Sequence, residues 1–134
     1  MDGIIFDVDG TLWDSVEVVA ESWNLAIKEN SDLEPNLNRE ILQELFGKTM
    51  DEIAAGVFPD LDPDSRRKLM DICFDYENRY LETHPGVYYE GVMDTLKELA
   101  LEYPLFIVSN CQCGYIEVMM KGAGMEPYIK DFLC

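Results

Sequence analysis

Apolar residues fall along this chain in two registers. Ile4-Ile5-Phe6 and Leu105-Phe106-Ile107-Val108 are short unbroken runs, the pattern of strands buried on both faces of a sheet. Between them the apolar positions recur at helical spacing. Val16, Val19, Trp23, Ala26 and Ile27 predict a helix over residues 15–29, with Asp14 or Ser15 as its cap and Trp23 in its packed face. Residues 30–37 are polar, contain Pro35 and read as a loop. Asn38 then caps a short helix through Ile41, Leu42, Leu45 and Phe46, which Gly47 ends. Thr49-Met50-Asp51-Glu52 is a capping box that starts a third helix through Ile53, Ala54 and Val57. Asp62-Pro63 opens a fourth, carrying Leu69, Ile72, Cys73, Tyr76 and Tyr80, and His84-Pro85-Gly86 closes it.

Residues 15–84 thus read as a four-helix bundle inserted into an α/β frame. A helix over 91–102 with Val92, Leu96 and Leu99 inward precedes the second apolar run, and another follows over 114–122 with Tyr115, Ile116 and Met119 buried, ended by Gly122 and Gly124. Strand, helix and strand in this order imply a parallel sheet with a right-handed crossover.

The chemistry sits where the strands stop. Ile4-Ile5-Phe6 runs into Asp7-Val8-Asp9-Gly10-Thr11-Leu12, and ligands of open α/β sheets bind at the carboxyl ends of strands. Side chains two apart on an extended strand leave the same face about 7 Å apart, so Asp7 and Asp9 can serve one site, and a bend after Asp7 would bring their carboxylates together. Gly10 permits that bend. Two carboxylates there could hold Mg²⁺, attack phosphorus, or pass a proton to a leaving oxygen. They could equally form a solvated turn. Ser109-Asn110 at the end of the second run is placed either to bind phosphate oxygens or to make a turn.

Asp7-Val8-Asp9-Gly10-Thr11-Leu12, with the apolar run before it and Asp14-Ser15 after it, resembles the first motif of the haloacid dehalogenase (HAD) superfamily. Ser109-Asn110 resembles the second. The resemblance implies a Rossmann-like parallel core over residues 1–14 and 85–134, and a helical cap over 15–84 that closes on the site and chooses the substrate. It implies a phosphoglycolate phosphatase-like enzyme acting on small phosphomonoesters. Asp7 is then the nucleophile and Asp9 the general acid and base. Both aspartates would hold Mg²⁺, and Gly10, Thr11, Ser109 and Asn110 would hold the phosphate. Asp at the second position points to phosphoryl transfer rather than dehalogenation. Lys48, in the turn between two cap helices, is either a substrate contact or a solvated lysine. A phosphomutase would use the same residues, and a non-catalytic acidic module binding a metal or a partner protein is the alternative from another class.

The sequence ends before the family's third and fourth motifs, which supply a lysine and further acidic residues. Lys121 and Lys130 precede the place of that lysine. The expectation is therefore an incomplete core and a truncated form with little or no activity, prone to self-association through the free edge of its first strand. A third strand would begin near Phe132.

Composition narrows the rest. The chain has 134 residues, 48% of them apolar, with 10 Lys and Arg against 27 Asp and Glu, for a net charge of −17. Such a surface repels nucleic acid and anionic membranes. No run approaches the ~20 apolar residues of a membrane span. Nor does the start of the chain have a basic region and apolar run like those of a signal peptide, so the expected compartment is the cytoplasm. Cys73, Cys111, Cys113 and Cys134 then read as reduced thiols, and Cys111-x-Cys113 lacks the spacing of redox or zinc pairs. His84, the only histidine, lies in a loop and carries little sign of a catalytic role.

Overall fold

The first four helices each start at a side-chain hydrogen bond. The computed structural model describes residues 2–134; Met1, the first residue of the range expected in the core, lies outside them. Strands β1 (Ile4–Phe6) and β2 (Trp13–Asp14) lead into helices α1 (Val16–Asn30), α2 (Arg39–Leu45), α3 (Met50–Val57) and α4 (Pro63–Thr83). Then come β3 (Val87–Tyr88), α5 (Val92–Ala100), β4 (Leu105–Val108), α6 (Tyr115–Ala123), a 3-10 turn (Glu126–Tyr128) and β5 (Asp131–Leu133). Asn38 Oδ1 accepts from the Ile41 amide at 3.0 Å, and Asp62 Oδ2 accepts from the Ser65 amide at 3.1 Å, with Pro63 in the first turn. Thr49 and Glu52 make both bonds of the capping box. At α1 the cap is Asp14, whose Oδ1 accepts from the Val16 amide at 3.1 Å.

The fold is α/β. Strands β1, β4 and β5 form a parallel sheet in that order, Ile4 opposite Leu105 and Phe106 opposite Asp131. The short strands β2 and β3 pair antiparallel, Trp13 opposite Tyr88, where the chain leaves for the helices and returns. Gly86 fits under this pair: a Cβ there would lie 2.8 Å from the Trp13 ring.

Two apolar clusters follow. One gathers Val19, Trp23, Ala26, Leu42, Ile53, Met70 and Cys73 among α1 to α4. The other gathers Val8, Trp13, Leu96, Leu105, Ile107, Ile116 and Met119 around the sheet. Helix α4 contributes to both, ending in the second with Leu81. No helix among the described residues is long and apolar enough to cross a membrane.

Two expectations are corrected, and the choice between Asp14 and Ser15 as the cap of α1 is settled. The strands are buried on one face only: Leu105 and Ile107 are covered, whereas Ile5, Val108 and Leu133 are 68%, 45% and 67% exposed. Strands taken in sequence order through right-handed crossovers put α5 and α6 on the same face. Of the apolar residues named on α4, Leu69 and Cys73 are buried and Ile72, Tyr76 and Tyr80 half-buried; Met70, Phe74, Glu77 and Leu81 complete the buried stripe. Helix α6 continues through Gly122 and ends at Gly124, which takes φ +70°. Gly122 instead makes room for the Tyr88 hydroxyl, which donates to the Met119 carbonyl at 2.6 Å. Ser15 makes no capping bond; its hydroxyl is turned toward Asp9.

Candidate active site

The bend after Asp7 is built on one carbonyl. The amides of Thr11 and Leu12 donate to the Val8 oxygen at 3.1 and 2.8 Å, and Gly10 turns the chain at φ +76°, a conformation that favours glycine. Val8 is fully buried beneath this turn. Both aspartates consequently reach one cleft of about 430 Å³, at the carboxyl ends of β1 and β4. Gly10, Ser109 and Asn110 line it as well, and Arg39, Gln43, Phe46 and Gly47 face them from α2 and the turn that follows.

The two carboxylates differ in setting. Asp7 is exposed, with Oδ1 accepting from the Val8 amide at 2.8 Å. Asp9 is half-buried, and its Oδ1 accepts from the hydroxyls of Tyr115 and Ser15, the latter at 3.3 Å. Behind them Trp13 Nε1 donates to the Tyr115 oxygen at 3.1 Å, and the Ser15 and Tyr115 hydroxyls lie 2.9 Å apart. Burial raises the Asp9 carboxyl above the usual range; the bonds from Tyr115 and Ser15 pull it back, and the charge of Asp7 adds to the rise. Ser109 is buried at the end of β4, its amide donating to the Leu133 carbonyl at 3.1 Å.

The structure brings Asp7, Asp9, Gly10, Ser109 and Asn110 together and leaves Thr11 and Lys48 outside the cleft lining. Thr11 is exposed in the turn, its amide bonded to the Val8 oxygen. Lys48 is exposed in the turn after Gly47, whose φ of +90° presents its own carbonyl to the site. Asn110 Nδ2 donates to that carbonyl at 3.3 Å, tying the loop after β4 to the helices. The cation lining the cleft among the described residues is Arg39. Its Nη1 lies 3.1 Å from Asp14 Oδ2 and its Nε 3.2 Å from Glu17 Oε1. Arg39 and Gln43 stand one helical turn apart, the spacing that could have marked them in the sequence.

Behind the cleft a cavity of about 30 Å³ touches Asp9, Glu77, Gln112 and Tyr115, room for about one water. Glu77 is buried there, accepting from Trp23 Nε1 at 2.7 Å and from Gln112 Nε2 at 2.6 Å. Its signal in the sequence is an acid on the stripe Cys73, Glu77, Leu81. Among the described residues no group of three or more His, Cys, Asp or Glu is arranged to hold a metal. Asp7 and Asp9 still offer the hard oxygens that suit Mg²⁺, which commonly takes one or two carboxylates and completes its shell with water and phosphate.

Solved structures place this fold. A protein of Haemophilus somnus described as a predicted phosphoglycolate phosphatase matches with TM-score 0.85 and 22% identity, over 99% of this chain and 62% of its own. CbbY of Rhodobacter sphaeroides, solved with phosphate, matches with TM-score 0.77 and 19% identity over 98% and 62%. YfnB of Bacillus subtilis, solved with magnesium, matches with TM-score 0.62 and 19% identity over 98% and 64%. The chain therefore spans a little over three fifths of these relatives. No curated protein matches it in sequence. The model of the haloacid dehalogenase-like hydrolases matches residues 4–134, and the chain belongs to that family.

Proposed function

We propose that this chain carries the reacting residues of a Mg²⁺-dependent phosphatase that hydrolyses small phosphomonoesters through an aspartyl phosphate on Asp7, with turnover that is low but measurable. The observation that carries the reading is the meeting of Asp7, Asp9 and Ser109 in one cleft at the carboxyl ends of two paired parallel strands. The exposed Asp7 carboxylate attacks phosphorus as the bond to the leaving oxygen breaks. Asp9 gives its proton to that oxygen, then takes a proton from the water that releases phosphate and restores Asp7. The Ser109 hydroxyl, with amides near Gly10 and Asn110, orients the phosphoryl oxygens.

Asp7 through its carboxylate and Asp9 through its backbone carbonyl would hold Mg²⁺, which when bound offsets the negative charge of the phosphate and the Asp7 carboxylate. The phosphate held by CbbY and the magnesium held by YfnB support this assignment. Residues 15–84 act as a cap over a core of 1–14 and 85–134, and Arg39 and Gln43 meet the substrate from the cap side. Hydrolysis of p-nitrophenyl phosphate with and without Mg²⁺ tests the reading. Turnover should need the metal and be lost in Asp7→Asn; undiminished turnover in that variant would refute it.

A further inference from the structure

The mechanism above leaves Tyr115 without a role beyond packing, yet its surroundings are those of a functional hydroxyl. The residue is 2% exposed in the cluster around the sheet. Its ring packs edge-on to Trp13, centroids 6.0 Å apart, a contact that a phenyl ring would make equally well. The hydroxyl goes further. It takes a bond from Trp13 Nε1 at 3.1 Å, touches Ser15 Oγ at 2.9 Å and donates to Asp9 Oδ1. Trp13 and Ser15 are themselves buried, so the donor is fixed by groups that cannot turn to solvent. Asp9 Oδ1 thus receives two donors, while no bond to Oδ2 is found among the described residues.

We propose that Tyr115 is a positioning residue for Asp9: its hydroxyl, locked by Trp13, holds Oδ1 so that Oδ2 faces the leaving oxygen. The inference rests on the phosphatase reading and deepens it. A carboxyl has two equivalent oxygens and a free torsion, and only one orientation delivers the proton. A general acid contributes about 10²–10⁴ in rate, and misplacement by about 1 Å can cost about 10².

The leaving group separates positioning from mere packing. A nitrophenolate departs without a proton, whereas an alkoxide such as that of glycerol 2-phosphate needs one. The experiment measures kcat and KM of the wild-type protein and Tyr115→Phe on both esters with saturating Mg²⁺. The expected result is a kcat loss of about tenfold or more on the alkyl ester, a much smaller loss on the aryl ester, and little change in either KM. The ratio of the two kcat values does not depend on the fraction of protein correctly folded. Equal losses on both esters, or none, would overturn the inference while leaving the phosphatase reading intact. A wild-type protein that hydrolyses neither ester would overturn both. Trp13→Phe, which keeps a ring but removes the donor that locks the hydroxyl, should move the ratio in the same direction. An unmoved ratio there, should Tyr115→Phe not fold, would also count against the inference.

Discussion

Glu77 Oε1 accepts a hydrogen bond from Trp23 Nε1 at 2.7 Å inside the seam between the helices and the sheet. Gln112, from the loop after β4, donates to the other oxygen. One buried carboxyl therefore joins α1, α4 and the loop that carries Asn110. Burial pushes it up from 4.5 to about 8; the bonds from Gln112 and Trp23 oppose the rise, and the charge of Asp9 adds to it. Cys73, one turn away, is pushed up to about 12 by its own burial and by Glu77.

This predicts an unusual pH dependence. Between pH 4.5 and about 8 the folded protein keeps a proton on Glu77 that the unfolded chain has released. The group's contribution to stability is thus greatest below pH 4.5 and declines as pH rises toward 8, by up to about 1.4 kcal/mol per unit. Glu77→Gln has nothing to titrate there. Urea unfolding at several pH values should show a shallower decline in the variant than in the wild type. Parallel profiles would show that Glu77 is not the group responsible.

Gly86 sits where the chain returns from the helices. A Cβ at this position would meet Trp13 ring atoms at 2.8 and 2.9 Å and the Asp14 carbonyl oxygen at 2.9 Å. Neither the buried indole nor the paired backbone can move freely, so Gly86→Ala should destabilise by about 1–3 kcal/mol, the usual cost of overpacking. Its melting temperature measures this; an unchanged value would mean that the strand pair yields easily.

Arg39 and Lys48 should respond differently to removal. Arg39 lines the cleft, and an incoming phosphate can draw it from Asp14 and Glu17. Arg39→Ala is expected to raise KM for phosphomonoesters about tenfold, the scale of one charge-assisted hydrogen bond. Lys48→Ala should change it little. The reverse order would restore Lys48 as the substrate contact and leave Arg39 with a structural part only.

Much of this architecture was legible locally. Asn38, Thr49, Glu52 and Asp62 announced three helix starts because capping depends on a few neighbouring residues. The apolar runs before Asp7 and Ser109 located the two strands whose ends meet in the cleft. Periodicity did less well where it had to choose a face. On α4 it marked Leu69, Ile72, Cys73, Tyr76 and Tyr80 alike, whereas packing against both the helices and the sheet buries Leu69 and Cys73 and extends their stripe through Glu77 and Leu81. Roles set by distant partners were not legible. Tyr115 lies 106 residues from Asp9, and its helical spacing identified it only as buried. Ser15 looked like a cap because it precedes a helix; the tertiary bonds to Asp9 and Tyr115 took its hydroxyl instead. The exposed Ile5 escaped notice because an apolar run says nothing of which face is covered.

The central claim is that Asp7 becomes covalently phosphorylated. It is tested most directly by quenching the protein during turnover of p-nitrophenyl phosphate with Mg²⁺ and reducing any acyl phosphate with borohydride. Peptide sequencing should then find homoserine in place of aspartate at position 7, dependent on substrate and absent from Asp7→Asn. Turnover with position 7 unmodified, or with the label on another residue, would contradict the account.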